Sequence, residues 1–289
     1  MTTTIAIVGT GRMGSAFAKR LIEQGQSVVV WNRTPARADA AVAAGARRAA
    51  DLTDLVSADI ILISLTNAEA VQAVVSGLSK AGIAGKLVID LSTLLPDESR
   101  EVGARVADAG AEFVDCPVGG TVGPALKGML LGMAGGTDAA FARARPVLEH
   151  LCKRVEHMGP VGTGASMKLA VNLPLALYWK TLAEALAVLK GSGIDAETAI
   201  SVISDSSAGP AVLKNRAQVV IDTLNGTDQP GTFDIAGLAK DLDLALRQAA
   251  LVGADLPLSE AARKSYAEAL GRDLGGFDGA TLTRLLTAD

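Results

Sequence analysis

Thr4-Ile5-Ala6-Ile7-Val8-Gly9-Thr10-Gly11-Arg12-Met13-Gly14 is the stretch that decides the fold. Its apolar run has no polar alternation, which is the pattern of a strand buried on both faces. The run passes directly into Gly-x-Gly-x-x-Gly, and residues 14–24 then have the spacing of an amphipathic helix. In a strand–turn–helix setting such glycines let the turn tighten, let backbone approach a pyrophosphate and let helix and strand pack closely, with the anion at the helix N-terminus. A Gly-rich turn without a ligand is the plain alternative; the placement between strand and helix favours nucleotide binding.

The same texture continues outward. Val28-Val29-Val30, Ile60-Ile61-Leu62-Ile63 and Leu87-Val88-Ile89 are further unbroken apolar runs, separated by helical segments such as residues 96–109. Alternating βαβ units of this kind imply a parallel sheet with right-handed crossovers. Residues 112–115, 129–134 and 154–158 are further candidate strands, with a helix over 138–151 between the last two. After Gly159-Pro160-Val161-Gly162-Thr163-Gly164 the strand-like runs stop and helical periodicity takes over. The expected division is therefore residues 1–160 and 161–289. A helix over 164–189, roughly 26 residues and about 39 Å long, opens the second half, and Pro174 should bend it. Gly193-Ile194-Asp195 ends it and caps the next, with three or four more helices to follow, including 235–252 and 257–270. Residues 225–231, dense in Gly, Pro, Asn and Asp, are expected to be the most mobile stretch.

Composition removes several classes of function. With 27 Lys and Arg against 31 Asp and Glu, and only two Trp, two Tyr and five Phe, the chain has neither a basic groove nor stacking platforms, so nucleic acid is not an expected partner. Two histidines (His150, His157) and two cysteines (Cys116, Cys152) leave almost nothing for a metal centre, and none is expected. The start at Met1 lacks a charged leader and the longest greasy stretch, residues 169–179, is interrupted by Asn172 and Pro174; neither export nor a membrane span is expected, and a reducing cytoplasm is the expected compartment.

At the end of the second strand, where an NAD-binding fold would hold an acid for the ribose hydroxyls, the chain reads Trp31-Asn32-Arg33-Thr34-Pro35-Ala36-Arg37. No carboxylate is there. Asn32, Arg33, Thr34 and Arg37 offer donors and positive charge suited to a 2′-phosphate, so NADP(H) is expected over NAD(H). The alternative is that Arg33 and Arg37 only decorate a solvated helix start. The other strand-end loops, Ser64-Leu65-Thr66-Asn67, Leu91-Ser92-Thr93 and Cys116-Pro117-Val118-Gly119-Gly120-Thr121, are rich in small polar residues fit to line a nicotinamide and a small substrate. Lys168 and Asn172, four apart, share one face of the long helix among Ala165, Met167, Leu169, Ala170 and Val171. A lysine in such surroundings is costly unless paired or used, and burial shifts an amine toward its neutral form, useful in proton transfer. A lysine that snorkels from the helix edge is the other reading.

Family resemblance separates those readings. The sequence resembles the β-hydroxyacid dehydrogenase family, which includes 3-hydroxyisobutyrate dehydrogenases and semialdehyde reductases. Gly9-Thr10-Gly11-Arg12-Met13-Gly14 is similar to its GxGxMG cofactor signature. Asp115-Cys116-Pro117-Val118-Gly119-Gly120-Thr121, with Ala125 and Gly128, is similar to its substrate-binding segment. Gly162 to Asn172 is similar to its GxGxxxKLxxN helix, and Phe233, Lys240, Asp241, Leu242, Leu244 and Ala245 fit its Fx6KDLxLA segment.

The resemblance implies a Rossmann domain with a doubly wound, mostly parallel sheet, a long interdomain helix and an all-α C-terminal domain. It implies that Lys168 is the acid/base, that Asn172 holds it or the substrate, that Thr93 and Gly120 lie near the substrate, and that Lys240 borders the cofactor. Gly9, Gly11, Arg12, Met13, Gly14, Leu65, Thr66 and Thr93 complete the expected cofactor set; Ser92, Gly119, Thr121, Tyr178 and Trp179 complete the substrate set. Gly119 stands where the family pattern has the serine that grips a substrate carboxylate, and Thr121 replaces a Gly. Either Thr121, Ser92 or the Gly120 N–H replaces that contact, or the natural substrate is not a simple hydroxy acid. Tyr178 and Trp179 serve either as core or dimer contacts or as walls of a larger, more apolar pocket. Lys168 favours carbonyl and alcohol chemistry with a small-molecule substrate; the Gly119 departure keeps imine reduction as the second reading, and a non-catalytic NADP(H) sensor is a third. A long helix apolar on all sides needs more cover than the remaining chain supplies, so a homodimer is expected, with the active site in the cleft between the halves.

Overall fold

Ile5, Ile7, Val28, Val30, Leu62 and Ile89 are packed into one hydrophobic core, while Ala6, Val8, Val29, Ile61, Ile63 and Val88 are packed into another. Successive residues of a strand point to opposite faces, so the sheet that carries them is covered on both sides. That double burial is why its strands read as unbroken apolar runs. The computed structural model describes residues 3–287, and it resolves into two units, Met1–Lys168 and Leu169–Asp289.

In the first unit the elements are β1 (Thr4–Val8), α1 (Arg12–Glu23), β2 (Ser27–Trp31), α2 (Asp39–Ala43), β3 (Arg47–Arg48), β4 (Ile60–Ile63), α3 (Ala68–Ala81), β5 (Leu87–Asp90), α4 (Pro96–Asp108), β6 (Glu112–Asp115), β7 (Val118–Gly119), α5 (Val122–Leu126), β8 (Leu130–Gly136), α6 (Asp138–Leu151), β9 (Cys152–Gly159) and the start of α7 (Thr163–Ala187). The strand order is β3-β2-β1-β4-β5-β6-β8-β7, with β9 on β8. Pairing is parallel from β3 to β6, antiparallel where β8 meets β6 and β7, and parallel again at β9. Phe17 and Leu21 of α1 and Val147, Leu148 and Leu151 of α6 cover one face. Val71, Val75 and Leu78 of α3 and Val102 and Val106 of α4 cover the other. Burying each such side chain contributes about 1.5–3 kcal/mol. The chain passes from β1 to β2 on one side and returns to β4 on the other, so the strand order reverses at β1, where open α/β sheets form their ligand crevice.

Local chemistry sets the helix ends. Asn67 caps α3 by accepting from the Ala70 N–H at 2.9 Å, and Gly82 ends it in the left-handed region at φ 94. Thr137 caps α6 through the Ala140 N–H at 3.1 Å. These side-chain acceptors satisfy N–H groups that have no partner inside the helix.

In the second unit α7 continues through Pro174, followed by α8 (Ala196–Asp205), α9 (Ala211–Leu224), α10 (Ile235–Val252), α11 (Pro257–Gly271) and α12 (Thr281–Thr287). Five helices therefore follow α7 among the described residues, the one that begins after Asp195 and four more, in line with the three or four expected beyond it. The seven-residue α12 is too short to show a period. Asp195 caps α8 as anticipated, accepting from the Thr198 N–H at 2.7 Å. Trp179, Leu213, Ile235, Leu238, Leu242, Tyr266 and Leu282 form the core of this unit, and the Tyr266 hydroxyl donates to the Ala176 carbonyl at 2.8 Å. At the C-terminal end of the 225–231 stretch the Gly231 N–H donates to Gly276 O at 3.0 Å and the Asp278 N–H to Gln229 O at 2.9 Å, while residues 225–227 are exposed. No helix among the described residues is long and apolar enough to cross a membrane.

Candidate active site

The turn after β1 is built from three glycines with three different jobs. Gly9 lies at φ +93, and a Cβ there would overlap the Ser64 carbonyl oxygen at the end of β4. At Gly14 a Cβ would overlap the Gly9 carbonyl, so its absence lets α1 seat on the turn. Gly11 differs: nothing lies within 4 Å of where its Cβ would be. It is also the N-cap of α1, with extended backbone, no side-chain cap and no acid in the first helical turn. The end of α1 thus presents uncapped N–H groups and open room to a solute. That is the chemistry an anion needs.

A cavity of about 270 Å³ opens beside this turn. Gly9, Gly11, Asn32, Arg33, Thr34, Arg37, Leu65 and Thr66 line it, together with Trp31 and Ser64. Its remaining wall is apolar: Leu52 and, on successive turns of α3, Ala70, Ala73 and Val74. That wall was missed in the sequence, although the i, i+3, i+4 spacing of the α3 residues marks one helix face. Asn32 Oδ1 accepts from the Thr34 N–H at 3.0 Å, an Asx turn that fixes the Arg33-Thr34 backbone. No acidic residue lines the cavity, and two arginines do. Met13 instead packs on the core of the first unit, and Arg12, Gly14 and Thr93 do not line the cavity.

The neighbouring strand ends carry two buried acids. Asp90 on β5 and Asp115 on β6 are register partners. Asp90 Oδ1 accepts from the Ser92 N–H at 2.9 Å, and Ser92 Oγ in turn accepts from the Leu65 N–H at 2.9 Å, tying the two loops together. Burial pushes the Asp90 carboxyl up to about 6, against the hydrogen bonds from Ser92, and its Oδ2 is buried without a hydrogen bond. Burial pushes Asp115 up to about 7, against the N–H groups of Gly162 and Ala165, which donate to it at 2.7 and 2.8 Å.

Lys168 is buried, at 8% exposure, and its Nζ donates to the Val118 carbonyl at 2.8 Å. Val118 directly precedes Gly119, which is partly buried, and Gly120, which takes φ +117. Thr121 is the N-cap of α5, with no side-chain cap bond. The structure thus brings the amine to the strand end that carries the 119–121 segment.

The second unit holds its own polar cluster. Asn172, 4% exposed, donates through Nδ2 to Asp241 Oδ2 at 2.6 Å, and Lys240 Nζ stands 3.0 Å from Asp241 Oδ1. Asp241 is buried inside α10. Trp179 is packed in the core, against Leu238 and Gly279. The Tyr178 ring meets it edge-on at 5.9 Å, and the Tyr178 hydroxyl is buried without a partner.

Residues 4–159 match the family model described as the NAD binding domain of 6-phosphogluconate dehydrogenase, and residues 162–286 match that of the NAD-binding of NADP-dependent 3-hydroxyisobutyrate dehydrogenase. The chain belongs to the β-hydroxyacid dehydrogenase family. This member is 34% identical to the 3-hydroxyisobutyrate dehydrogenase of Pseudomonas aeruginosa over 91% of both chains. It is 30% identical to the chloroplastic glyoxylate/succinic semialdehyde reductase 2 of Arabidopsis thaliana, over 99% of this chain and 80% of the other. The solved Mycobacterium tuberculosis 3-hydroxyisobutyrate dehydrogenase with L-serine superposes at a TM-score of 0.90, with 30% identity and full coverage of both chains. Solved imine reductases share the architecture, the one from Pseudomonas sp. at 20% identity, a likeness of fold alone. The β-hydroxyacid dehydrogenase family is one of oxidoreductases with NAD(P)-binding domains. The cavity at β1, its uncapped helix end and its open space at Gly11 fit such a cofactor.

Proposed function

We propose that the protein is an NADP(H)-dependent reductase of the β-hydroxyacid dehydrogenase type, acting between a small carbonyl compound, such as a semialdehyde, and the corresponding hydroxy acid. The observation that carries this reading is the buried Lys168 amine held on the Val118 carbonyl. It places a proton-bearing group at the strand end next to Gly119, Gly120 and Thr121. The N–H groups at Gly11 and the loop 64–66 would hold the cofactor's diphosphate side, and Asn32, Arg33, Thr34 and Arg37 its 2′-phosphate. When bound, the reduced nicotinamide supplies the hydride.

Lys168 then performs the proton work. An ammonium has three N–H donors, of which the Val118 carbonyl takes one; another is delivered to the substrate oxygen as negative charge develops there. In the oxidative direction the neutral amine takes the hydroxyl proton. Asn172, one turn along α7, is assigned to fixing the helix through Asp241, with Lys240 beside it. Ser92 orders the loop that carries Thr93; Gly120 N–H and Thr121 are left to meet the substrate. General acid–base help of this kind contributes about 10²–10⁴-fold.

Replacing Lys168 by Ala tests the assignment. The variant is expected to bind NADPH and to lose at least about 10²-fold in turnover; wild-type turnover would remove the lysine from the chemistry, and a protein that binds NADPH but never turns over any substrate would be a sensor. The Gly119 departure supports a second reading, imine reduction. NADPH oxidation against semialdehydes, 2-keto acids and cyclic imines separates the two, since activity on imines alone would reverse the order. We also assign the protein to a cytoplasmic homodimer: Cys116 and Cys152 are free thiols, and Val188, Val202, Leu251 and Leu258 are exposed apolar side chains of the helical unit.

A further inference from the structure

We propose that Asp115 is the positioning residue for Lys168, with residues 115–118 acting as a two-point clamp on that side chain. The carboxylate of Asp115 fixes where α7 begins, and the carbonyl of Val118, three residues on, receives the amine. This rests on the role given to Lys168 above.

The geometry is bidentate. Asp115 Oδ1 accepts from the Gly162 N–H at 2.7 Å and Oδ2 from the Ala165 N–H at 2.8 Å. Both amides belong to the helix start, where N–H groups have no partner within the helix. Ala165 stands three residues before Lys168, so the anchor lies within one turn of the root of the lysine. The carboxylate is buried at 2% exposure and walled by backbone. A Cβ at Gly164 would overlap the Met133 carbonyl and lie 2.9 Å from Asp115 Oδ2, and one at Gly135 would lie 3.0 Å from the Gly164 nitrogen. Strand and helix therefore touch backbone to backbone, with no side chain between them to absorb a shift.

Such a joint has a reason. Lysine has four rotatable side-chain bonds, and placing its amine requires that both ends be held. A slip of one residue at the helix start would move the root by about 1.5 Å and turn it by about 100°, and a 1 Å misplacement of a reacting group can cost about 10²-fold. When the Asp115 carboxyl is ionised, its bonds to N–H are charge-assisted and roughly twice as strong as neutral ones. An Asn would keep one acceptor and turn an NH₂ toward the other amide.

The test is Asp115→Asn in the whole 289-residue chain, beside wild type and Lys168→Ala. Expected are a cooperative melt, NADPH affinity within about twofold of wild type, kcat lowered by roughly 10²-fold, and a larger solvent deuterium isotope effect on kcat as proton delivery becomes limiting. A folded Asp115→Asn with wild-type kcat overturns the clamp. So does a lowered kcat with an unchanged isotope effect, which would signal general damage. Should Asp115→Asn not fold, Gly164→Ala decides by the same readouts, since it disturbs the joint without changing the chemistry of any reacting group. Loss of NADPH binding in both variants also overturns the proposal, because the carboxylate would then hold the unit together rather than place the amine. The two assignments fail separately: an active Lys168→Ala defeats the proposed function, whereas an inactive Lys168→Ala beside a fully active Asp115→Asn defeats the clamp alone.

Discussion

Asp90 and Asp115 sit side by side on β5 and β6, both buried, and Asp90 leaves one carboxylate oxygen without a hydrogen bond. Burial raises both carboxyls above the ordinary value of 3.8, Asp90 to about 6 and Asp115 to about 7. A folded state that holds a proton more tightly than the unfolded chain is favoured on the acid side. The contribution is fully present below about pH 3.8 and is lost as pH rises through 6 to 7.

Asp90→Asn removes one of these titrations. Its stability relative to wild type is expected to rise from pH 4 to pH 7 and then level off, by at most about 3 kcal/mol at about 1.4 kcal/mol per pKa unit. Urea denaturation of both proteins at several pH values measures this. A difference that stays flat with pH would show that burial does not perturb Asp90.

The glycines of the β1 turn should separate stability from binding. Gly11→Asn keeps a favoured N-cap residue and places atoms in open space, so the melting temperature should hold while NADPH affinity falls at least about tenfold, or 1.4 kcal/mol. Gly9→Ala should instead destabilise the fold by more than about 1 kcal/mol, because alanine is incompatible with the positive φ and its Cβ meets the Ser64 carbonyl. Equal effects of the two on melting would contradict these roles. Calorimetry and cofactor titration read both.

Cofactor choice is assigned to the second strand end. Asn32→Asp combined with Arg33→Ala installs a carboxylate that repels a 2′-phosphate and can bind ribose hydroxyls. The ratio of kcat/KM for NADPH over NADH should fall at least about tenfold. An unchanged ratio would defeat the NADP(H) assignment.

At Gly119 a Cβ would meet Leu131 at 3.6 Å, an ordinary contact, and the backbone is not in the left-handed region. Gly119→Ser should therefore fold normally. It is expected to lower KM for substrates that bear a carboxylate and leave KM for uncharged carbonyls unchanged. A KM that does not respond to the substrate's carboxylate would show that this position does not grip that group.

Much of this was legible in the chain. β1, β2, β4 and β5 fall on the apolar runs because burial on both faces leaves no position for a polar residue, and α6 and α10 match because caps and breakers flank them. The glycine turn was legible because each close approach excludes a side chain. β7, with two residues, and α5, with five, are shorter than any period and gave no signal. The apolar wall from α3 was likewise unread, since which face of a helix meets a cavity is set by packing partners.

The order of residues by itself determined the double-faced sheet, the helical second half, the glycine turn and the family, because these follow from local periodicity, backbone freedom and motif spacing. Only the tertiary structure decided that Asp115 meets the start of α7 across 50 residues, that Lys168 reaches the Val118 carbonyl, and that Asn172 turns to Asp241. Hydrogen bonds between distant segments depend on where whole elements come to rest. No spacing along the chain encodes that.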